Sequence, residues 1–412
     1  MLTAVFLDLF GGFGLSVLFT IACLALMYFA GQHRSKQSIS QGETSKSHAS
    51  IEKNTKTGLA EKIVSPICYK IRSPRPYPQW SIHQTKPLPY RAFRYGPKYN
   101  ITMGLRTIEP DEWIELDNHF PKYHADKAAR IQERGEKCIK TDPAAFPAAI
   151  ELLEELVSYL PARYPTLFKR TSVGIDNPWS GESFNILERP LRENPMAICA
   201  RLIQDDLALM LEQPVGSGTY RLLAGCILLP GFWRLSDKFG MSLSDIHTSG
   251  NVPSFKEKLE KGMIKFFQRL KPDVLYSRNN YFIQVDDSLA WSHSIGAEDN
   301  PTVSWSTAEK DTIIENHWFR SERQTLRRLP KTGAICFTIR TYFHPVTEIV
   351  QEEYVPGRLA SAVRSWDDNV SIYKGREKYG DILLEYLDKK HQEQIENGLD
   401  IDCEDEVRQY PW

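Results

Sequence analysis

Four arginines fall within nine residues, R-S-E-R-Q-T-L-R-R at 320–328, immediately before the apolar segment A-I-C-F-T-I-R-T-Y-F at 334–343. A guanidinium presents a rigid fork of donors and stays charged when desolvated, so such a cluster suits carboxylate or phosphate recognition. It equally suits pairing with the chain's own acids, such as Glu315 or Glu322. Ser321 and Gln324 have capping-box spacing, which predicts a short helix with Arg320, Arg323 and Arg327 on one face. Arg340 then lies on the polar side of the strand that follows. Two adjacent carboxylates, Asp205 and Asp206, interrupt the apolar segment M-A-I-C-A-R-L-I-Q-D-D-L-A-L-M-L-E-Q. Read as a helix over 197–213, this segment puts Asp206 on the apolar stripe and Asp205 at its edge, where a carboxylate is costly unless paired or useful as an acid, base or amine-binding group. His247 lies between a turn and a Pro-bounded loop in S-L-S-D-I-H-T-S-G-N-V-P-S-F. Taken alone, it is as consistent with a structural as with a ligating role, and the same holds for His293, His317 and His344.

The elements that must position these residues are irregularly interleaved. A-A-I-E-L-L-E-E-L-V-S-Y-L-P predicts an amphipathic helix with Leu152, Leu153, Leu156, Val157 and Leu160 inward, Glu151, Glu154 and Glu155 outward, and Pro161 as its stop. S-F-K-E-K-L-E-K-G-M-I-K-F-F-Q-R-L-K-P predicts another, with Leu259, Met263, Phe266, Phe267 and Leu270 at helical spacing. T-Y-R-L-L-A-G-C-I-L-L-P reads as a central strand, and N-Y-F-I-Q-V-D and the 334–343 segment alternate with period two. Ile335, Phe337, Ile339 and Phe343 share one side of the latter, with Thr338, Arg340 and Tyr342 on the other. Strands and helices without regular βα alternation predict an α+β fold.

Composition narrows the function. With 51 basic and 52 acidic residues, no global field points to nucleic acid. Seven cysteines without paired spacing argue against structural zinc, an iron–sulfur cluster or a disulfide framework. G-S-G in P-V-G-S-G-T-Y is not a dinucleotide fingerprint, and neither a Walker A lysine nor H-E-x-x-H occurs.

Leu9–Ala30 is uncharged and long enough to cross about 30 Å of hydrocarbon, and His33, Arg34 and Lys36 follow it directly. The expectation is an N-terminal transmembrane helix over 1–34, with the large domain in the cytoplasm, at the endoplasmic reticulum or a membrane continuous with it. A Ser/Lys/Thr/Gln-rich tether (35–60) and a Pro-rich extended arm (61–86) come next, then the main domain (87–350) and a helical extension (351–412) carrying the acidic D-I-D-C-E-D-E.

The strings Y-N-I-T-M-G-L-R-T-I-E-P-D-E-W-I-E-L-D, L-I-Q-D-D-L-A-L-M, L-L-P-G-F-W-R-L-S-D-K-F-G-M-S-L-S-D-I-H, R-N-N-Y-F-I-Q and R-S-E-R-Q-T-L-R-R-L-P-K-T-G-A-I-C-F-T-I-R-T-Y resemble, in order over about 88–346, the α subunit of the haem-dependent oxidative N-demethylases. The resemblance implies a PAS-like antiparallel sheet with surrounding helices and haem b as cofactor. It implies removal of an N-methyl group from a small amine as formaldehyde, with O2 and with electrons from a separate flavin and iron–sulfur reductase. It further implies His247 as axial ligand to the iron, Asp205 or Asp206 holding the substrate ammonium or handling its proton, and Asn280 orienting substrate or oxygen. Trp233, with Phe232 and the strand at 219–229, would wall the haem, and Arg320, Arg323, Arg327 and Arg340 would neutralise its propionates. Gln204-Asp205-Asp206 stands where the pattern has Gln-Glu-Asp, and Tyr281 where Trp is usual. A haem-binding sensor and a catalytically inactive scaffold are the alternative readings.

Overall fold

The computed structural model describes residue 69 and residues 71–93, 99–303 and 307–404. The expected span Leu9–Ala30 and its tether lie outside these residues, and among the described residues no helix is long and apolar enough to cross a membrane.

The strands are β1 (Arg106–Ile108), β2 (Ile139–Thr141), β3 (Lys169–Arg170), β4 (Gly174–Asn177), β5 (Glu182–Asn185), β6 (Asp206–Glu212), β7 (Tyr220–Cys226), β8 (Leu275–Gln284), β9 (Trp318–Arg328) and β10 (Ile335–Pro345). Seven form one antiparallel sheet in the order β1-β8-β9-β10-β6-β7-β2, while β3, β4 and β5 form a small second sheet. The helices are α1 (Phe120–Arg134), α2 (Phe146–Arg163), α3 (Pro195–Leu202), α4 (Leu235–Lys238), α5 (Leu243–Ser249), α6 (Glu260–Arg269), α7 (Val346–Ile349), α8 (Val355–Arg364), α9 (Asp368–Lys374) and α10 (Gly380–Glu396). The fold is α+β, as the irregular interleaving predicts.

Alternation gives the main sheet two faces. Leu207, Leu209, Ala224 and Cys336 pack behind it against α2 and α3, while Ala208, Met210, Leu222, Ile335 and Ile339 pack in front, below α5 and α6. The back core includes the fully buried Leu152, Leu156 and Leu160, each worth about 1.5–3 kcal/mol of burial. The helices α8 and α10 cover Ile283 and Phe319 toward the β8–β9 end. The segment after the proline-rich arm lies along the back of the sheet, with Tyr90 against Tyr342 at 5.5 Å and its carbonyl accepting from Ser321 Oγ at 3.1 Å.

Four expectations need correction. The helix read over 197–213 ends at Leu202, and 206–212 is the central strand β6, paired on both edges. Because both faces of that strand are covered, its apolar run carries no alternation to distinguish it from a helix. The short helix expected at Ser321 is instead β9, paired along its length with β8 and β10. Sheet pairing overrides the local capping spacing, so Arg320 faces front while Arg323 and Arg327 face back. Pro161 does not stop α2, which runs to Arg163; Val157 O, the carbonyl four residues before the proline, accepts from Arg170 Nη1 at 3.0 Å. Glu151, expected outward, is buried and accepts from Lys331 N at 2.6 Å and Thr332 N at 2.8 Å, fixing the β9–β10 turn.

Candidate functional site

His247 occupies the last turn of α5, a helix capped by Ser242, whose Oγ accepts from Asp245 N at 3.1 Å. Its ring stacks on Phe255 at 4.9 Å between centroids and 11° between planes. Nδ1 donates to Leu243 O at 2.7 Å, and Nε2 makes no hydrogen bond among the described residues. Burial lowers the imidazole pKa; the Leu243 bond opposes this, and Arg278 and Lys238 add to it. A neutral ring with its proton fixed on Nδ1 carries its lone pair on Nε2, the arrangement a metal-ligating histidine requires.

The sheet face in front of α5 is incompletely covered. Tyr276, Arg278 and Asn280 on β8, which is the sheet edge beyond its three-residue pairing with β1, and Phe337 on the central β10 are half-buried, whereas Ser277, Cys336 and Thr338 behind them are buried. Trp233, Phe239, Ile246, Met263 and Phe266 are partly buried against the front core. The polar groups of this face are connected: Arg278 Nη1 donates to Gln324 Oε1 at 2.6 Å, and Gln324 Nε2 to Glu322 Oε2 at 2.8 Å. From α9, Lys374 Nζ donates to Asn280 Oδ1 at 2.9 Å. Burial raises the Glu322 pKa against the pull of Arg320 and Lys374, and it lowers Lys374 to about 7.

The two aspartates part company. Asp206 Oδ2 accepts from Leu229 N at 2.9 Å, and burial raises its pKa. It begins β6 opposite Ile339, on the front face. Asp205 is fully buried; burial pushes it up to about 6 despite Arg340, Lys127, Arg323 and the neighbouring Thr338 hydroxyl, which lies outside good hydrogen-bond geometry.

Nor do the arginines form a row. Arg323 is bound by the carbonyls of Glu112 and Trp113, and Arg327 by Glu155. Arg340 pairs with Asp117 at 2.5 Å. These three occupy the back face, away from His247. In front, Arg320 donates to Leu289 O at 2.8 Å and to Leu229 O, joining two loops at the sheet end. Gly231, at φ +80, makes room for that guanidinium: a Cβ there would lie 2.7 Å from Arg320 Cζ. The structure thus brings His247, Trp233 and Asn280 to one face, with Asp206 and Arg320 toward its end, and sets Asp205, Arg323, Arg327 and Arg340 apart.

Arg278, Glu322 and Lys374 are the residues that sequence reasoning missed. Arg278 could have been placed beside Asn280 from the run Y-S-R-N-N-Y-F, which read as a strand puts both on one side. The other histidines have their own settings: His317 Nδ1 donates to Ile313 O at 2.9 Å, His293 Nδ1 contacts Ser288 Oγ at 2.8 Å, and His344 lies 6.4 Å from the His119 ring. Among the described residues, no group of three or more His, Cys, Asp or Glu is arranged to hold a metal ion.

Residues 104–384, more than half of the chain, match the family described as haem-dependent oxidative N-demethylase, alpha subunit-like. The match begins later than the resemblance in the sequence and extends beyond it through α8 and α9 into α10, so Lys374 lies within the shared region. That description is of a haem-dependent oxidoreductase. With this match, the chain belongs to the haem-dependent oxidative N-demethylase α-subunit-like family.

Proposed function

We propose that the chain holds haem b through His247 against the open front patch and removes an N-methyl group from a small amine, releasing formaldehyde. The observation that carries this reading is the His247 ring, fixed by Leu243 and Phe255 with Nε2 unbonded. The fit is chemical as well. A flat apolar ring system suits the half-buried Phe337, Tyr276 and Trp233, and no second protein ligand is needed when four equatorial donors come with the cofactor. A PAS-like fold is favoured by strand order: β6 to β10, numbered one to five in chain order, lie as 3-4-5-1-2.

Bound haem would supply O2 activation and oxidation of the N-methyl carbon, with electrons from a separate flavin and iron–sulfur reductase. Oxygen inserted into a methyl C–H bond gives a carbinolamine; its C–N bond then breaks to formaldehyde and the shortened amine. The other oxygen atom leaves as water, consuming two electrons and two protons. Asn280, held by Lys374, orients the amine, and Asp206 or Glu322 carries protons on that face. Trp233 excludes water at the rim. Asp205 acts from behind the sheet as a structural group.

The test is formaldehyde release from N-methylated amines by the full-length chain with a surrogate reductase. Stoichiometric formaldehyde is expected. A haem-loaded, reducible protein that releases none across a panel of secondary and tertiary methylamines would favour the sensor reading.

We infer also a single-pass anchor at Leu9–Ala30 with the main domain on the cytoplasmic side, on the strength of the uncharged span and the basic residues after it. Protease should digest the domain in sealed, cytoplasm-out vesicles, and full protection would contradict this topology.

A further inference from the structure

We propose that Arg278 is the carboxylate-binding group of the front face and takes a propionate of the haem. This inference rests on the haem reading above. Arg278 is half-buried at the middle of β8, where a guanidinium is costly unless its charge is met. Nε donates to Met103 O at 3.0 Å and Nη1 to Gln324 Oε1 at 2.6 Å, both neutral acceptors. Nη2 donates to nothing, and no carboxylate lies within ion-pair distance of this side chain among the described residues. Glu322 shares the face, but its hydrogen bond runs through Gln324.

The other arginines of β9 and β10 already have partners. Arg327 and Arg340 are paired with carboxylates, and Arg320, Arg323 and Arg328 are engaged by backbone carbonyls. Arg278 is held in place by two bonds to neutral acceptors on the half-buried front of β8. A planar carboxylate is the complement of that fork.

The test compares haem with haem dimethyl ester, which lacks free carboxylates, in binding to the full-length apoprotein followed by Soret absorption. For wild type, haem should bind about tenfold or more tightly than the ester, the value of one charge-assisted hydrogen bond. Arg278→Met should raise the haem Kd by that factor and leave the ester Kd unchanged, while Arg278→Lys should recover part of the loss. Equal losses for both porphyrins in Arg278→Met and Arg278→Lys would assign Arg278 a purely structural role and overturn the proposal. So would unchanged haem affinity in a wild-type-like, His247-dependent holoprotein. A wild-type chain that binds neither porphyrin overturns the haem reading itself and this assignment with it.

Discussion

Arg320 and Arg323, neighbours in one arginine-rich run, are bound on opposite faces of the same strand: Arg320 by the Leu229 and Leu289 carbonyls in front, Arg323 by the Glu112 and Trp113 carbonyls behind. What reads as a single patch of positive charge is two sets of internal ties. Arg323→Ala should therefore leave the haem spectrum unchanged while costing stability. Unsatisfied buried carbonyls cost about 1–3 kcal/mol each, which sets the scale of the loss in denaturant titrations. Arg340→Ala should cost more, about 3–5 kcal/mol, because it strands the Asp117 carboxylate. A lost Soret band in folded Arg323→Ala would return that arginine to the cofactor site.

Asp205 gives a pH signature. Its carboxyl is pushed up to about 6 in the fold by burial, above its ordinary value, so the folded chain binds this proton more tightly than the unfolded one. The associated stability is fully present below about pH 4, declines as pH rises toward 6 and is gone above it, a loss of at most roughly 3 kcal/mol. Asp205→Asn should remove that decline, so that variant and wild type differ most at neutral pH. Parallel stability profiles from pH 4 to 7 would contradict a carboxyl held up by burial.

Gly231 and Gly216 separate conformational strain from crowding. Both sit at φ +80, but an added Cβ meets Arg320 only at Gly231 and nothing within 4 Å at Gly216. Gly216→Ala should show the backbone penalty alone, about 1 kcal/mol, and Gly231→Ala distinctly more. Thermal unfolding of the two variants decides the matter, and equal shifts would mean that Arg320 yields freely.

The sequence shows α2, β7, β8 and β10 because each alternates or runs apolar against one packed neighbour. It hides β6 and β9. Leu207–Leu211 is apolar on both sides, and β9 is polar on both, since its arginines are satisfied by partners distant in sequence, as Arg327 is by Glu155. His247 was legible through its family string, and its fixed tautomer was not, because that depends on the helical carbonyl of Leu243. The aspartates were legible as a pair but not as front and back, since adjacent residues diverge only in a strand.

The most direct measurement is the Soret spectrum of the haem-reconstituted full-length chain beside His247→Gly, with and without added imidazole. The account predicts a band that is lost or markedly shifted in His247→Gly at unchanged circular dichroism and is restored by imidazole, while His293→Ala, His317→Ala and His344→Ala keep the wild-type spectrum. A His247→Gly protein with the wild-type band, or a band abolished by His317→Ala or His344→Ala instead, would contradict it.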